Sequence, residues 1–196
     1  MKTIPAPLLT LQLPEEAVVG FASLLQHGML FAVDRPVAIL PFLLALPGFS
    51  AEYIEKTVQT IFVNGVAADS LDRTLPAGST LALSAAMPGL AGAIFRRQGV
   101  HGSLRSQPAA QTPSGPSDSG FITLKLFNSI ATDRIQDLLT HGILLTGKAL
   151  HDFTARQEHL VQPPVTISFD GRQLDSTALL AAVAGYPVVK VQASVL

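Results

Sequence analysis

Leu24–Phe31 reads LLQHGMLF, and Leu138–Leu145 reads LLTHGILL. The two stretches lie 114 positions apart in a chain of 196 residues. Two further pairs keep the same order. Leu9-Thr10-Leu11-Gln12-Leu13 matches Ile122-Thr123-Leu124-Lys125-Leu126 at an offset of 113. Thr60-Ile61-Phe62-Val63-Asn64-Gly65 matches Thr166-Ile167-Ser168-Phe169-Asp170-Gly171 at an offset of 106, and Asp69-Ser70 then matches Asp175-Ser176. One such pair is within chance. Three in order, separated by one short and one longer gap, point to an internal duplication.

The matched letters have a structural meaning. Leu9, Leu11 and Leu13 alternate with Thr10 and Gln12, the pattern of a half-buried strand, and Phe121–Leu126 repeats it. Glu15–His27 reads as a helix, with acids in its first turn and Gly28 just past its end. Asp133–His141 ends at Gly142 in the same way. His27 and His141 then stand in a last helical turn, where a cationic ring eases the dipole, a plainer role than ligand or catalyst. Asn64-Gly65 and Asp170-Gly171 follow β-rich runs and read as tight hairpin turns. Asp175-Ser176 stands before an Ala/Leu-rich run and reads as a helix cap. Its second-copy helix, Asp175–Gly185, falls where the first copy has a loop.

Between the copies Gln107–Gly120 reads QPAAQTPSGPSDSG, rich in Pro, Gly and Ser and without apolar period. It reads as a flexible linker. The expected organisation is a first repeat over 1–97, a joining segment over 98–118, and a second, divergent repeat over 119–196.

Composition narrows the function classes. Apolar residues make up 48% of the chain and charged residues 14%, against about 25% charged in a typical soluble domain. A monomer with so few charges leaves apolar surface uncovered, which favours a protein partner or a homo-oligomer. The net charge of −1, with no Trp and two Tyr, offers neither basic excess nor stacking platforms, so no nucleic-acid partner is expected. Without cysteine there are no disulfides, thiolate nucleophiles or Cys-based zinc sites, and the chain suits a reducing, cytoplasmic setting. The most apolar run, Ala17–Val33, contains Gln26 and His27 and follows Glu15 and Glu16, so no membrane partner is expected either. Pro36–Phe49 is apolar too, is interrupted by Pro41, and reads as a core helix.

Tyr53–Gly92 reads YIEKTVQTIFVNGVAADSLDRTLPAGSTLALSAAMPGLAG. It resembles the second half of the small ubiquitin-like sulfur carriers, the molybdopterin-synthase small subunit and thiamine carrier type. In that β-grasp family a helix leads to a strand ending in Val-Asn-Gly, then a short strand, a turn, and a last strand closing in Pro and Gly. Thr60–Gly65, Leu75–Gly78 and Leu81–Ala86 fit these parts, with Val37–Leu46 as the preceding helix. The resemblance implies an α+β fold, here a tandem duplication of a small β-grasp-like unit with a mixed sheet covered by helices. It also implies a carrier tail. The family uses a free C-terminal Gly-Gly, and the nearest equivalent here is Gly89-Leu90-Ala91-Gly92, which lacks the pair and is followed by the second half of the chain. Gly89 and Gly92 are the carrier-tail candidates, and the role would require cleavage after Gly92.

No catalytic set stands out. The five His show no HExxH spacing, and no nucleophile elbow or phosphate loop occurs. No cofactor or metal is expected. His151 and His159, eight apart beside Asp152 and Glu158, could share a solvated helix face. Phe95–Arg105 is the strongest binding candidate: Arg96, Arg97, His101 and Arg105 with interleaved glycines and no acid, suited to an anion or an acidic partner, or else a basic linker entry. The sequence therefore supports a non-catalytic protein-binding or scaffold protein first. A sulfur-carrier relative with a processed or degenerate Gly tail comes second. An enzyme with a site between the repeats, using groups such as Asp170 or His141, comes third.

Overall fold

The two expected hairpin turns are where backbone and sequence agree most closely. In the computed structural model, which describes residues 5–87, 89–97, 99, 119–162 and 164–196, Asn64 and Gly65 have φ of 52° and 77°, and Asp170 and Gly171 have φ of 48° and 80°. Two successive positive values make a type I′ turn, whose twist matches that of the strands it joins. Asn, Asp and Gly are the residues that tolerate those angles.

In chain order the described elements begin with β1 (Leu8–Leu13), α1 (Glu15–Val18), a 3-10 helix (Val19–Gln26), β2 (Met29–Val33), β3 (Val37–Ala38), α2 (Ile39–Leu44), α3 (Ala51–Thr57), β4 (Thr60–Val63), β5 (Val66–Ala67), β6 (Thr74–Leu75), β7 (Thr80–Ser84) and α4 (Gly89–Phe95). There follow β8 (Gly120–Phe127), α5 (Ser129–His141), β9 (Ile143–Thr146), α6 (Gly147–Arg156), a 3-10 turn (Glu158–Val161), β10 (Thr166–Phe169), β11 (Arg172–Leu174), α7 (Ser176–Ala184) and β12 (Val188–Val195). The fold is mixed α and β. The chain divides into two compact units: Phe31–Ile130 is one, and the segment ending at Leu30 together with Ala131–Leu196 is the other.

In the first unit the strand order is β2-β8-β7-β4-β5. β8 runs parallel to β7, with Leu124 beside Leu81, and β4 runs antiparallel to β7, with Ile61 opposite Leu83. Ile61, Val63, Leu81, Leu83, Leu124 and Leu126 point to one face and are buried, as the period of two requires. α3 starts where the Ser50 hydroxyl accepts the Tyr53 amide at 3.1 Å, a conventional N-cap. On the other face Phe62 meets Phe95 of α4 with ring centroids 5.4 Å apart, and Thr60 beside it is buried.

In the second unit the order is β11-β10-β1-β12-β9. β1 is parallel to β12 and antiparallel to β10. Leu9, Leu11 and Leu13 of β1 are buried together with Ile167, Val189 and Val191. Phe21 and Phe153, both buried, pack against each other with centroids 5.6 Å apart.

Each compact unit draws on both halves of the sequence. β1, from residues 1–97, lies in the sheet of β10 and β12; β8, from 119–196, lies in the sheet of β4 and β7. Other expectations need local correction. The helix expected over Val37–Leu46 is shorter: Val37 and Ala38 pair with Leu75 and Thr74 as β3–β6, and α2 covers only Ile39–Leu44. Its Leu43 is buried within the unit while Leu44 is 45% exposed. Glu15–His27 is helical, but after one α-turn it tightens to 3-10. Val18, Phe21 and Leu24, with Ala22 and Leu25, are buried at intervals of three, the period at which 3-10 side chains eclipse. Among the described residues no helix is long and apolar enough to cross a membrane.

Candidate functional site

A recess in the second unit forms where the start of α6 meets the loop after α7. Thr146 caps α6, its hydroxyl accepting the Ala149 amide at 3.1 Å. The Gly147 amide donates to the Pro187 carbonyl at 3.2 Å. A Cβ on Gly147 would run into the carbonyls of Tyr186 and Val183, so this close approach requires glycine. The resulting open groove of about 400 Å³ is lined by Thr146, Lys148, His151, Tyr186 and Pro187, among others. The Tyr186 ring leans on Phe169 with centroids 5.5 Å apart.

The charges of this groove are already matched. Lys148 Nζ lies 2.6 Å from Asp152 Oδ2, and His151 Nδ1 lies 3.6 Å from Asp152 Oδ1. The hydrogen bond from Lys148 holds the Asp152 carboxyl below the usual aspartate range, against a smaller opposing effect of burial, with help from the Lys148 charge, His151 and Arg156. A groove with a paired cation and an open mouth can receive a polar or aromatic side chain. It brings no nucleophile against a base. Lys148 and Tyr186 went unnoticed in the sequence; the Lys148–Asp152 spacing of four was the available signal. His151 and His159 do not share a helix face. α6 stops at Arg156, and Gln157 has φ −121° and ψ 41°, so His159 belongs to the separate 3-10 turn.

In the first unit the basic candidates divide. Arg97 tucks its side chain in to 7% exposure, with Nη2 3.1 Å from Glu55 Oε2. Its amide donates to the Gln59 carbonyl at 2.6 Å. The stretch carries no acid of its own, but the fold supplies one from α3. Arg96 is exposed. Together with Glu55, Val58 and Gln59 the two arginines line a shallow cleft of about 190 Å³, into whose wall the Gln59 Oε1 is buried without a hydrogen-bond partner among the described residues. His101 and Arg105 lie outside the described residues.

Gly89 opens α4 with φ 76°. Gly92 is buried inside that helix, and a Cβ there would strike the Met87 carbonyl. Gly92 is thus helical, and Gly89 is the left-handed turn that opens the helix; neither lies in an extended tail. His27 sits edge-on to Phe153 at 6.3 Å, and His141 ends α5 exposed. The Asp170 carboxylate accepts the Leu8 amide at 2.8 Å. Among the described residues no group of three His, Asp or Glu side chains is placed to hold a metal ion. No family model matches the chain, and neither does any curated protein or solved structure.

Proposed function

We propose that this is a non-catalytic protein-binding or scaffold protein that works with a protein partner or with further copies of itself in a cytoplasmic setting. One observation carries the reading. In the second unit's sheet burial alternates along the strands: Leu9, Leu11, Ile143, Ile167, Val189 and Val191 are buried. The opposite face presents Thr10, Gln12, Leu144, Ser168, Lys190 and Gln192, all half-buried or exposed. Such a face is of mixed polarity and is carried on hydrogen-bonded strands. Those are the qualities of a docking surface, whereas small-molecule sites are concave and enclosed. The low charge of the chain supports the same reading. So does a duplicated origin: we take the two copies as diverged β-grasp-like units, because the matched strand and hairpin-turn pairs occupy the same kinds of element.

A second reading is a sulfur-carrier relative with a processed or degenerate Gly tail. It is favoured by the succession α3, β4, Asn64-Gly65, β5, the Leu75–Gly78 turn and β7. The burial of Gly92 inside α4 weighs against it.

Native mass spectrometry on the protein from its own host separates the two. The expected species is the intact chain as an oligomer or with a bound protein, lost at least tenfold in Ser168→Arg/Gln192→Arg and kept in the control Lys56→Ala. A chain ending near Gly92 with added mass, read on the same sample after denaturation, would select the carrier. An intact, solitary monomer would remove the binding proposal.

A further inference from the structure

We infer that the two halves of the sequence are obligate structural complements, each supplying an inner strand that the other half's sheet lacks. β1 stands between β10 and β12 and is paired on both sides: Leu9 has Phe169 as one partner and Val191 as the other. Its Leu9, Leu11 and Leu13 are at most 1% exposed. The hairpin turn ties it in, with the Asp170 amide donating to the Leu8 carbonyl at 2.9 Å and the Leu8 amide returning to Asp170 Oδ1 at 2.8 Å. β8 is fastened along β7 as closely. The Gly78 amide donates to the Phe121 carbonyl at 2.7 Å and the Thr123 amide to the Ser79 carbonyl at 2.9 Å. At the far end Asn128 Nδ2 donates to Ser84 Oγ at 2.7 Å. Ile122, Leu124 and Leu126 are fully buried.

A strand buried between two neighbours cannot leave without stranding their backbone donors and acceptors. A chain cut between residues 98 and 118 therefore remains one particle. The same holds for a cut after Gly92. Such a cut would not by itself release a carrier with a mobile tail, because β1 stays held in the other unit and β8 stays on β7. Any processing of this chain acts as a nick, and a partner meets both halves together.

The absence of cysteine makes the pairing directly testable in the full chain. Thr10 and Ser168 are register partners. If each half instead closed its own sheet, Thr10 would take the place of its repeat mate Thr123, opposite Thr80. Thr10→Cys/Ser168→Cys and Thr10→Cys/Thr80→Cys are made in a full chain carrying a specific protease site between Gln111 and Thr112. They are joined with a short bismaleimide, cut, and run on a denaturing gel. The first pair is expected to hold nearly all halves together, and the second at least tenfold fewer. Without the linker the cut halves co-elute in native buffer. Linkage to position 80, absence of linkage to position 168, or separation of the uncrosslinked halves on dilution would each overturn the inference.

Discussion

Asp170 and Asn64 each end a strand, and each side chain then ties down a neighbouring strand. Asp170 Oδ1 accepts the Leu8 amide and Asn64 Oδ1 accepts the Thr80 amide, both at 2.8 Å. Removing Asp170 takes away this bond and the residue suited to φ 48°. Asp170→Ala is expected to lower stability by about 1–2 kcal/mol, and Asp170→Asn by less than half of that, in urea titrations. The turn itself was legible, since Asp-Gly after a β-rich run is a local signal. Its hold on Leu8 was not, for the two residues are 162 positions apart. Asp152 shows a different residue-scale effect. Its carboxyl is depressed chiefly by the Lys148 hydrogen bond. A depressed carboxyl contributes its ion pair at pH above the usual aspartate range and loses it as pH falls through the lower folded value. Lys148→Gln is expected to return the Asp152 titration upward toward that range, read by carboxyl NMR shifts. An unmoved titration would assign the depression to His151 or Arg156.

At the scale of elements, α6 and α7 are placed by backbone approach as much as by side chains. Gly147 lets the first turn of α6 press on the carbonyls of Val183 and Tyr186. Gly147→Ala is expected to cost about 1–3 kcal/mol by overpacking, even though alanine is the better helix former. If Gly147→Ala stabilised the protein in urea, propensity would outweigh contact here. α7 depends on Asp175, whose Oδ1 accepts the Ala178 amide at 2.7 Å. Asp175→Ala should cost about 1 kcal/mol. That cap was readable, because Asp before an Ala/Leu run needs no tertiary knowledge. The shared face of His151 and His159 was misread for a converse reason. A spacing of eight places two residues together only on an unbroken helix, and Gln157 breaks it. Likewise β3 takes Val37 and Ala38 from an apolar run that looks helical, since its partner Thr74-Leu75 lies far along the chain.

At the scale of the molecule the matched letters were legible and the pairing of the strands that carry them was not. Matching letters identify like elements, strand with strand and turn with turn. They do not say which copy a strand pairs within, because two strands as alike as Leu9–Leu13 and Ile122–Leu126 offer nearly the same apolar face to either sheet. Register fixes only which side is buried. The choice shows in the neighbours: the first unit's hairpin abuts β7, whereas the second unit's hairpin abuts β1. This distribution makes a prediction that separates position in sequence from position in space. Leu11 is 1% exposed on β1. A carboxylate there is buried without a partner, among the most destabilising of single changes. With Leu11→Asp, hydrogen exchange should accelerate first at Ile167 and Val191, the flanking strands from the far half of the sequence. Ile61 and Leu83, from the same sequence half as Leu11, should retain protection longer. The opposite order would mean that β1 stabilises the sheet of its own half, and that the strands are apportioned by sequence after all.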